Sequence, residues 1–123
     1  MRLRIDIGQR RVEVELFEHQ TARHLWEAAP LASTAQTWGD EVYFSLHLEL
    51  PLEEDFVREQ VEAGDVGWWP PGRALCLFFG PTPISPPGEI RPASAVVLVG
   101  RLLGNPRTLR AVEEGDPVRV ERV

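Results

Sequence analysis

Apolar and polar residues alternate over the first sixteen positions of the chain. Leu3, Ile5 and Ile7 are separated by Arg4 and Asp6, and Val12, Val14 and Leu16 by Glu13 and Glu15. A period of two is the signature of a strand with one buried face. The intervening Gly8-Gln9-Arg10-Arg11 predicts a hairpin turn. A second long alternation runs from Glu41 to Leu50: Val42, Phe44, Leu46, Leu48 and Leu50 form one face, and Tyr43, Ser45, His47 and Glu49 the other. Pro51 ends it. Val118 and Val120, alternating with Arg119 and Glu121, predict a closing strand.

Two stretches do not alternate. Ala74-Leu-Cys-Leu-Phe-Phe79 is apolar throughout, and Val96 to Val99 repeats this inside a segment expected from Ala93 to Leu103. Side chains of a strand point to both faces, so each of these strands must be covered front and back. Ala74 to Phe79 is therefore expected at the centre of the fold. Gly80 to Pro92 holds five prolines in thirteen residues. It reads as a constrained surface loop, because proline removes ladder donors and helix hydrogen bonds.

Helical spacing appears twice. Ala22, Leu25, Trp26 and Ala29 fall on one stripe, with Thr21 expected to cap the helix and Pro30 to end it. Nine residues do not hold a helix in water alone, so this stripe must pack on the sheet. Asn105-Pro106 reads as a cap and first turn, predicting two turns over Arg107 to Glu114. Glu53 to Gln60 is an acidic loop or a helical turn. Val61-Glu-Ala-Gly-Asp65 recurs in outline as Val112-Glu-Glu-Gly-Asp116, each predicted to turn the chain into a strand. The pattern as a whole is mainly β: seven or eight strands and two short helices with no βαβ rhythm, best arranged as a closed barrel with helices over its ends.

Composition narrows the chemistry. At 123 residues, 43% hydrophobic and 26% charged, the chain has the size and balance of one globular domain. The net charge of −6 opposes a nucleic-acid footprint. No apolar run reaches the roughly 20 residues that span a bilayer, so no membrane partner is expected. The first residues alternate as a strand and lack the apolar core of a signal peptide, which with a single cysteine makes cytoplasm the expected compartment. All 13 basic residues are arginine, which excludes lysine-based covalent or phosphate chemistry. High genomic GC content or a thermophilic source would each account for that bias.

Few residues suggest reactivity. Cys76 lies in an apolar strand and reads as a small core side chain rather than a nucleophile. His19, His24 and His47 have no metal-ligand spacing, and no metal or cofactor is expected. His47 and Glu49 share a strand face as an acid–base pair would, and equally as two solvated residues. Glu53-Glu54-Asp55 reads as a solvated turn. Gly64, Gly67 and Gly72 lack phosphate-loop spacing. Trp38, Tyr43, Ser45, Arg73 and Phe79 are the candidate binding residues, converging on one barrel face as an aromatic pocket with polar handles; the bland alternative makes the aromatics core and Arg73 a turn residue.

Trp38-Gly-Asp-Glu-Val-Tyr-Phe-Ser45, Gly64-Asp-Val-Gly-Trp-Trp-Pro-Pro-Gly-Arg-Ala-Leu-Cys-Leu-Phe-Phe-Gly80 and Pro92-Ala-Ser-Ala-Val96 resemble the small prokaryotic cyclophilin-like proteins of the Thermotoga type, formerly a domain of unknown function. The resemblance spans nearly the whole chain and implies an eight-stranded barrel capped by helices, with no established activity. True cyclophilins are more distantly similar: Leu77-Phe78-Phe79 looks like their Gln-Phe-Phe strand, and Val96 to Leu109 like the strand and helix that follow. Their Phe-His-Arg stretch has its counterpart in Val42-Tyr43-Phe44-Ser45, without the arginine, and Leu77 replaces the glutamine. The residues and the resemblance together favour an uncharacterised cyclophilin-like module without classical catalytic residues that binds a small molecule or peptide, as a monomer or homodimer. A weak prolyl isomerase using Phe79 and Tyr43, or a component of an allophanate-hydrolase-like assembly, are the alternatives.

Overall fold

A computed structural model describes residues 1–123. Its ten strands, all paired antiparallel, are β1 (Arg2–Ile7), β2 (Arg10–Leu16), β3 (Leu31–Thr34), β4 (Gln36–Thr37), β5 (Glu41–Ser45), β6 (Val57–Arg58), β7 (Asp65–Trp69), β8 (Ala74–Phe78), β9 (Val96–Leu102) and β10 (Pro117–Arg122). They hydrogen-bond in the order β3-β10-β1-β2-β9-β7-β8-β5-β4, with short β6 on β9. The two ends of this path are adjacent pieces of one chain segment. Leu31–Thr34 pairs with β10, and two residues on Gln36–Thr37 pairs with β5. Residues 31–37 therefore close the sheet into a barrel as one bent strand. Counted so, and with β6 set aside, the ring has eight strands.

The hairpin of β1 and β2 is tighter than its sequence suggests: Ile7 faces Arg10, so only Gly8 and Gln9 form the turn, Gly8 at φ 57°. Leu3, Ile5, Ile7, Val14 and Val120 from this side of the ring are essentially inaccessible, as are Val42, Phe44, Val66, Leu75 and Leu77 from the other. They belong to one interior cluster of 25 residues. Each fully buried aliphatic or aromatic side chain contributes about 1.5–3 kcal/mol.

α1 (Gln20–Ala28) packs Ala22 and Leu25 onto that cluster. Its cap is His19 rather than Thr21. The Nδ1 of His19 accepts from the Ala22 amide at 3.2 Å, leaving Nε2–H to donate to the Leu98 carbonyl at 2.8 Å. Thr21 is buried instead, donating to the Pro51 carbonyl and accepting from the Glu53 amide. Two other boundaries differ from expectation. β5 stops pairing at Ser45, yet the burial alternation continues, with Leu46 buried and Leu48 half-buried, because packing persists after the ladder ends. Asn105 does cap its turn, accepting from the Arg107 amide at 3.0 Å, but the two turns are of 3₁₀ helix, Pro106–Ala111, and end before Glu114. The acidic segment becomes a 3₁₀ turn, Glu54–Phe56, followed by β6.

The twin Gly-Asp motifs form the same turn. Asp65 accepts from the Glu62 amide at 2.8 Å and Asp116 from the Glu113 amide at 2.9 Å, with Gly64 at φ 95° and Gly115 at φ 92°. Both launch a strand, β7 and β10. The centre of the barrel wall is β8, each of whose five residues is at most 1% exposed. It pairs with β7 on one side and β5 on the other. Trp68 faces the interior at 2% exposure, and β7 is an inner strand, so Trp68-Trp69 forms no exposed edge.

Candidate functional site

β8 needs a cover on the outside of the barrel as well as the inside. Leu75, Leu77 and the following Phe79 point inward. Cys76 and Phe78 point outward into a second cluster with Val61 and Val96, flanked by Tyr43, Trp69, Ile90 and Leu98. The cover is the proline-rich stretch 80–95. It is anchored by Thr82, whose hydroxyl donates to the Arg91 carbonyl, and by Ser85 Oγ, which accepts from the Thr82 and Arg91 amides at 2.9 Å each. Gly67 on β7 leaves room for the Val96 side chain of β9 beneath this cover: a Cβ there would stand 2.8 Å from Val96 Cγ2 and 2.9 Å from Val96 Cβ.

The cover leaves a pocket of about 130 Å³ between itself and the sheet, lined by Trp38, Glu41, Tyr43, Trp69, Cys76, Pro92, Ala93 and Val96. Register explains the floor. Tyr43 faces Cys76 across the β5–β8 ladder, Cys76 faces Gly67 across β8–β7, and Glu41 lies two residues before Tyr43 on the same face of β5. Trp69, two residues after Gly67, makes the opposite wall; its indole N–H donates to Ser94 Oγ at 2.7 Å, tying wall to cover. Trp38 is placed by the tight turn into β5, where its amide donates to the Glu41 carbonyl at 3.0 Å.

Glu41 is the unusual member. It is 5% exposed, forms no ion pair, and its Oε1 is buried with no hydrogen-bond partner. A buried carboxylate disfavours its charged form. Burial accordingly raises its pKa from an ordinary 4.5 to about 7, opposed by a hydrogen bond from the Cys76 thiol to the carboxyl. Desolvation also drives the Cys76 thiol well above its usual range, with the Glu41 carboxyl adding to it. Tyr43 is raised too, first by burial and then by Glu41 and Glu114. At neutral pH the thiol and phenol are therefore protonated, and Glu41 alone titrates.

Of the residues singled out from sequence, the structure brings Trp38 and Tyr43 together in this pocket and leaves three outside. Phe79 faces the barrel interior, 7% exposed. Ser45 and Arg73 sit at the other end of the β5–β8 ladder, Ser45 four residues from Glu41, about 13 Å along an extended strand. Ser45 Oγ donates to the Gly72 carbonyl at 3.3 Å, and exposed Arg73, in a left-handed conformation with φ 47°, pairs with Glu49. Glu41, Trp69 and Pro92–Ala93 went unnoticed. Their signal was present: a strand apolar on both faces requires an outer cover, and whatever neighbours that strand beneath the cover is buried with it.

The sequence profile described as Cyclophilin-like matches residues 1–121. The chain belongs to the cyclophilin-like family. Among solved structures, the cyclophilin-like domain is similar to the hypothetical protein AF2241 from Archaeoglobus fulgidus, solved in solution, with a TM-score of 0.83 and 45% identity over 100% of this chain and 95% of that one. It is also similar to McbB, solved in complex with tryptophan, with a TM-score of 0.66 and 17% identity over 98% of this chain and 44% of McbB. At that identity the likeness to McbB shows a common fold alone. No curated protein matches the chain. The family is a cyclophilin-like fold without an established activity, and no helix of this domain is long and apolar enough to cross a membrane.

Proposed function

We propose that the domain is a binding module whose outer pocket receives a small molecule or one side chain of a peptide. One observation supports this above the rest: a carboxyl that is 95% buried, with an oxygen lacking any partner, stands in a pocket walled by three aromatic rings. Buried polar groups are almost always satisfied, and an orphan on a side chain that lines a pocket marks a position where an incoming donor belongs. The volume, about 130 Å³, compares with the roughly 150 Å³ cavity that accommodates benzene. One ring or a short branched chain fills it. Tryptophan in McbB carries no weight here, since only the fold is shared. Nothing in the lining favours a prolyl isomerase or an amide-hydrolase component. No arginine reaches the pocket, and the Trp69 N–H is already engaged.

Thermal unfolding in the presence of a metabolite and peptide library tests the reading. A ligand at 100 times its Kd adds about 2.7 kcal/mol, a rise in Tm on the order of 10 °C for a domain of this size. Ala93→Trp, at an exposed position on the pocket rim, should abolish the rise while leaving the unliganded Tm nearly unchanged. Stabilisation that survives this blockage would move binding elsewhere, and no stabilisation by any compound would end the proposal.

A further inference from the structure

We infer that the occupant of this pocket is a small organic cation bearing N–H donors, an alkylammonium or guanidinium group held by Glu41 between Trp38, Tyr43 and Trp69. The inference rests on the binding reading above and adds its chemistry.

Buried polar atoms without partners occur at three places: Arg4 Nε, Trp26 Nε1 and Glu41 Oε1. Arg4 is satisfied as a charge through its other nitrogens, which pair with Glu121. Trp26 is half-buried with the Arg122 guanidinium 5.1 Å over its ring. Neither lines this pocket. Glu41 does, and it can only accept when ionised, so its complement is a donor.

The walls select among donors. Aromatic faces carry negative potential and attract cations, strongly where water is excluded. Trp38, Tyr43 and Trp69 supply three such rings around a single carboxyl. No arginine or histidine lines the pocket to compete. The other titratable groups facing Glu41 are Tyr43 on its own strand and Cys76 on β8, both neutral at pH 7; Glu114, hydrogen-bonded through Oε1 to the Thr37 amide at 3.0 Å, adds negative potential from beyond. An anion would meet a carboxylate here, and a neutral apolar group would leave it unpaired in a drier site than before.

The test is an NMR titration of the full chain with isobutylammonium and guanidinium, set against neutral isobutanol and indole. The cations should saturably shift the indole resonances of Trp38 and Trp69. Glu41→Gln, which keeps the shape and removes the charge, should weaken them at least tenfold. Glu54→Gln, an exposed carboxylate outside the pocket, should leave them unchanged and thereby control for the overall charge of −6. Calorimetry of the wild-type protein at pH 7 in two buffers of different ionisation enthalpy should show release of about half a proton per cation, because pairing drives Glu41 to its ionised form. Equal affinity for isobutanol, unchanged affinity in Glu41→Gln, or equal losses in both variants would overturn the cation assignment. Binding of indole without the cations would overturn it while sparing the pocket; silence from all four probes would sink both.

Discussion

Glu41 should make the unliganded domain less stable as pH rises, and Glu41→Gln should cancel that dependence. A carboxyl with a folded pKa of about 7 against an unfolded value of 4.5 holds its proton more tightly when folded. The stability it supports is fully present below pH 4.5 and is lost as pH climbs through 7. Between those values the folded chain binds more protons than the unfolded one, so unfolding free energy falls with pH. Two and a half pH intervals at about 1.4 kcal/mol each amount to about 3 kcal/mol lost by pH 8. For a domain with an ordinary total of about 5–15 kcal/mol this is a large fraction. Urea unfolding midpoints of the wild type and Glu41→Gln at intervals from pH 5 to 8 provide the measurement, with m-values checked for constancy. The two curves should diverge by about 2.5 kcal/mol across that range, the variant gaining on the wild type as pH rises.

Other carboxylates do not confuse the comparison. Asp6, Glu15 and Glu121 are lowered by hydrogen bonds from Arg11, Arg2 and Arg119 respectively. Groups lowered in this way lose their contribution only as pH falls through their folded values, below the window, and they are common to both proteins. Cys76, raised well above 9.0, acts only beyond its upper edge. Parallel curves from pH 5 to 8 would mean that Glu41 is solvated or paired in solution, and the argument for an orphaned acceptor would fail with it.

Three further outcomes follow from the packing. Gly100→Ala places a Cβ 2.4 Å from the Glu15 carbonyl and should cost about 1–3 kcal/mol by forcing β2 from β9, read from the denaturation midpoint; a neutral result would mean that seam is slack. Asp65→Ala should destabilise more than Asp116→Ala. Both lose a turn hydrogen bond of about 1 kcal/mol, but Asp65 is 5% exposed and also loses its pairing with Arg101. Cys76, 1% exposed with its thiol held protonated, should resist iodoacetamide at pH 8 until the protein unfolds; stoichiometric alkylation of the folded chain within minutes would contradict the outer cover.

What could be read from sequence depended on how local its cause was. The β1–β2 hairpin, the buried β8 and the paired Gly-Asp turns are written in a few neighbouring residues, and the structure has them where the pattern put them. The barrel's closure by residues 31–37 was not visible, because it depends on one segment changing partners within two residues. The site fell between these cases. Trp38 and Tyr43 are legible as aromatics beside and on a half-polar strand. Grouping Phe79 with Tyr43 required the register: once Tyr43 faces Cys76, the outward residues of β8 are the even ones, and Phe79 is committed to the interior with Leu75 and Leu77.

Glu41 shows why polarity alone misleads at such a place. By alternation it belongs to the polar face of β5, with Tyr43 and Ser45, and that face is wet at Ser45 and dry at Glu41. The change occurs over four residues because the cover, residues 80–95, reaches one end of the ladder and not the other. It is drawn there by the outward Cys76 and Phe78, neither of which is near Glu41 in sequence. The burial of about one carboxyl is thus a consequence of apolar demand elsewhere on β8. Folding meets that demand by closing an aromatic-walled space over a group that water can no longer satisfy. An uncharged residue of the same shape at this position would therefore raise stability by about 3 kcal/mol at neutral to alkaline pH.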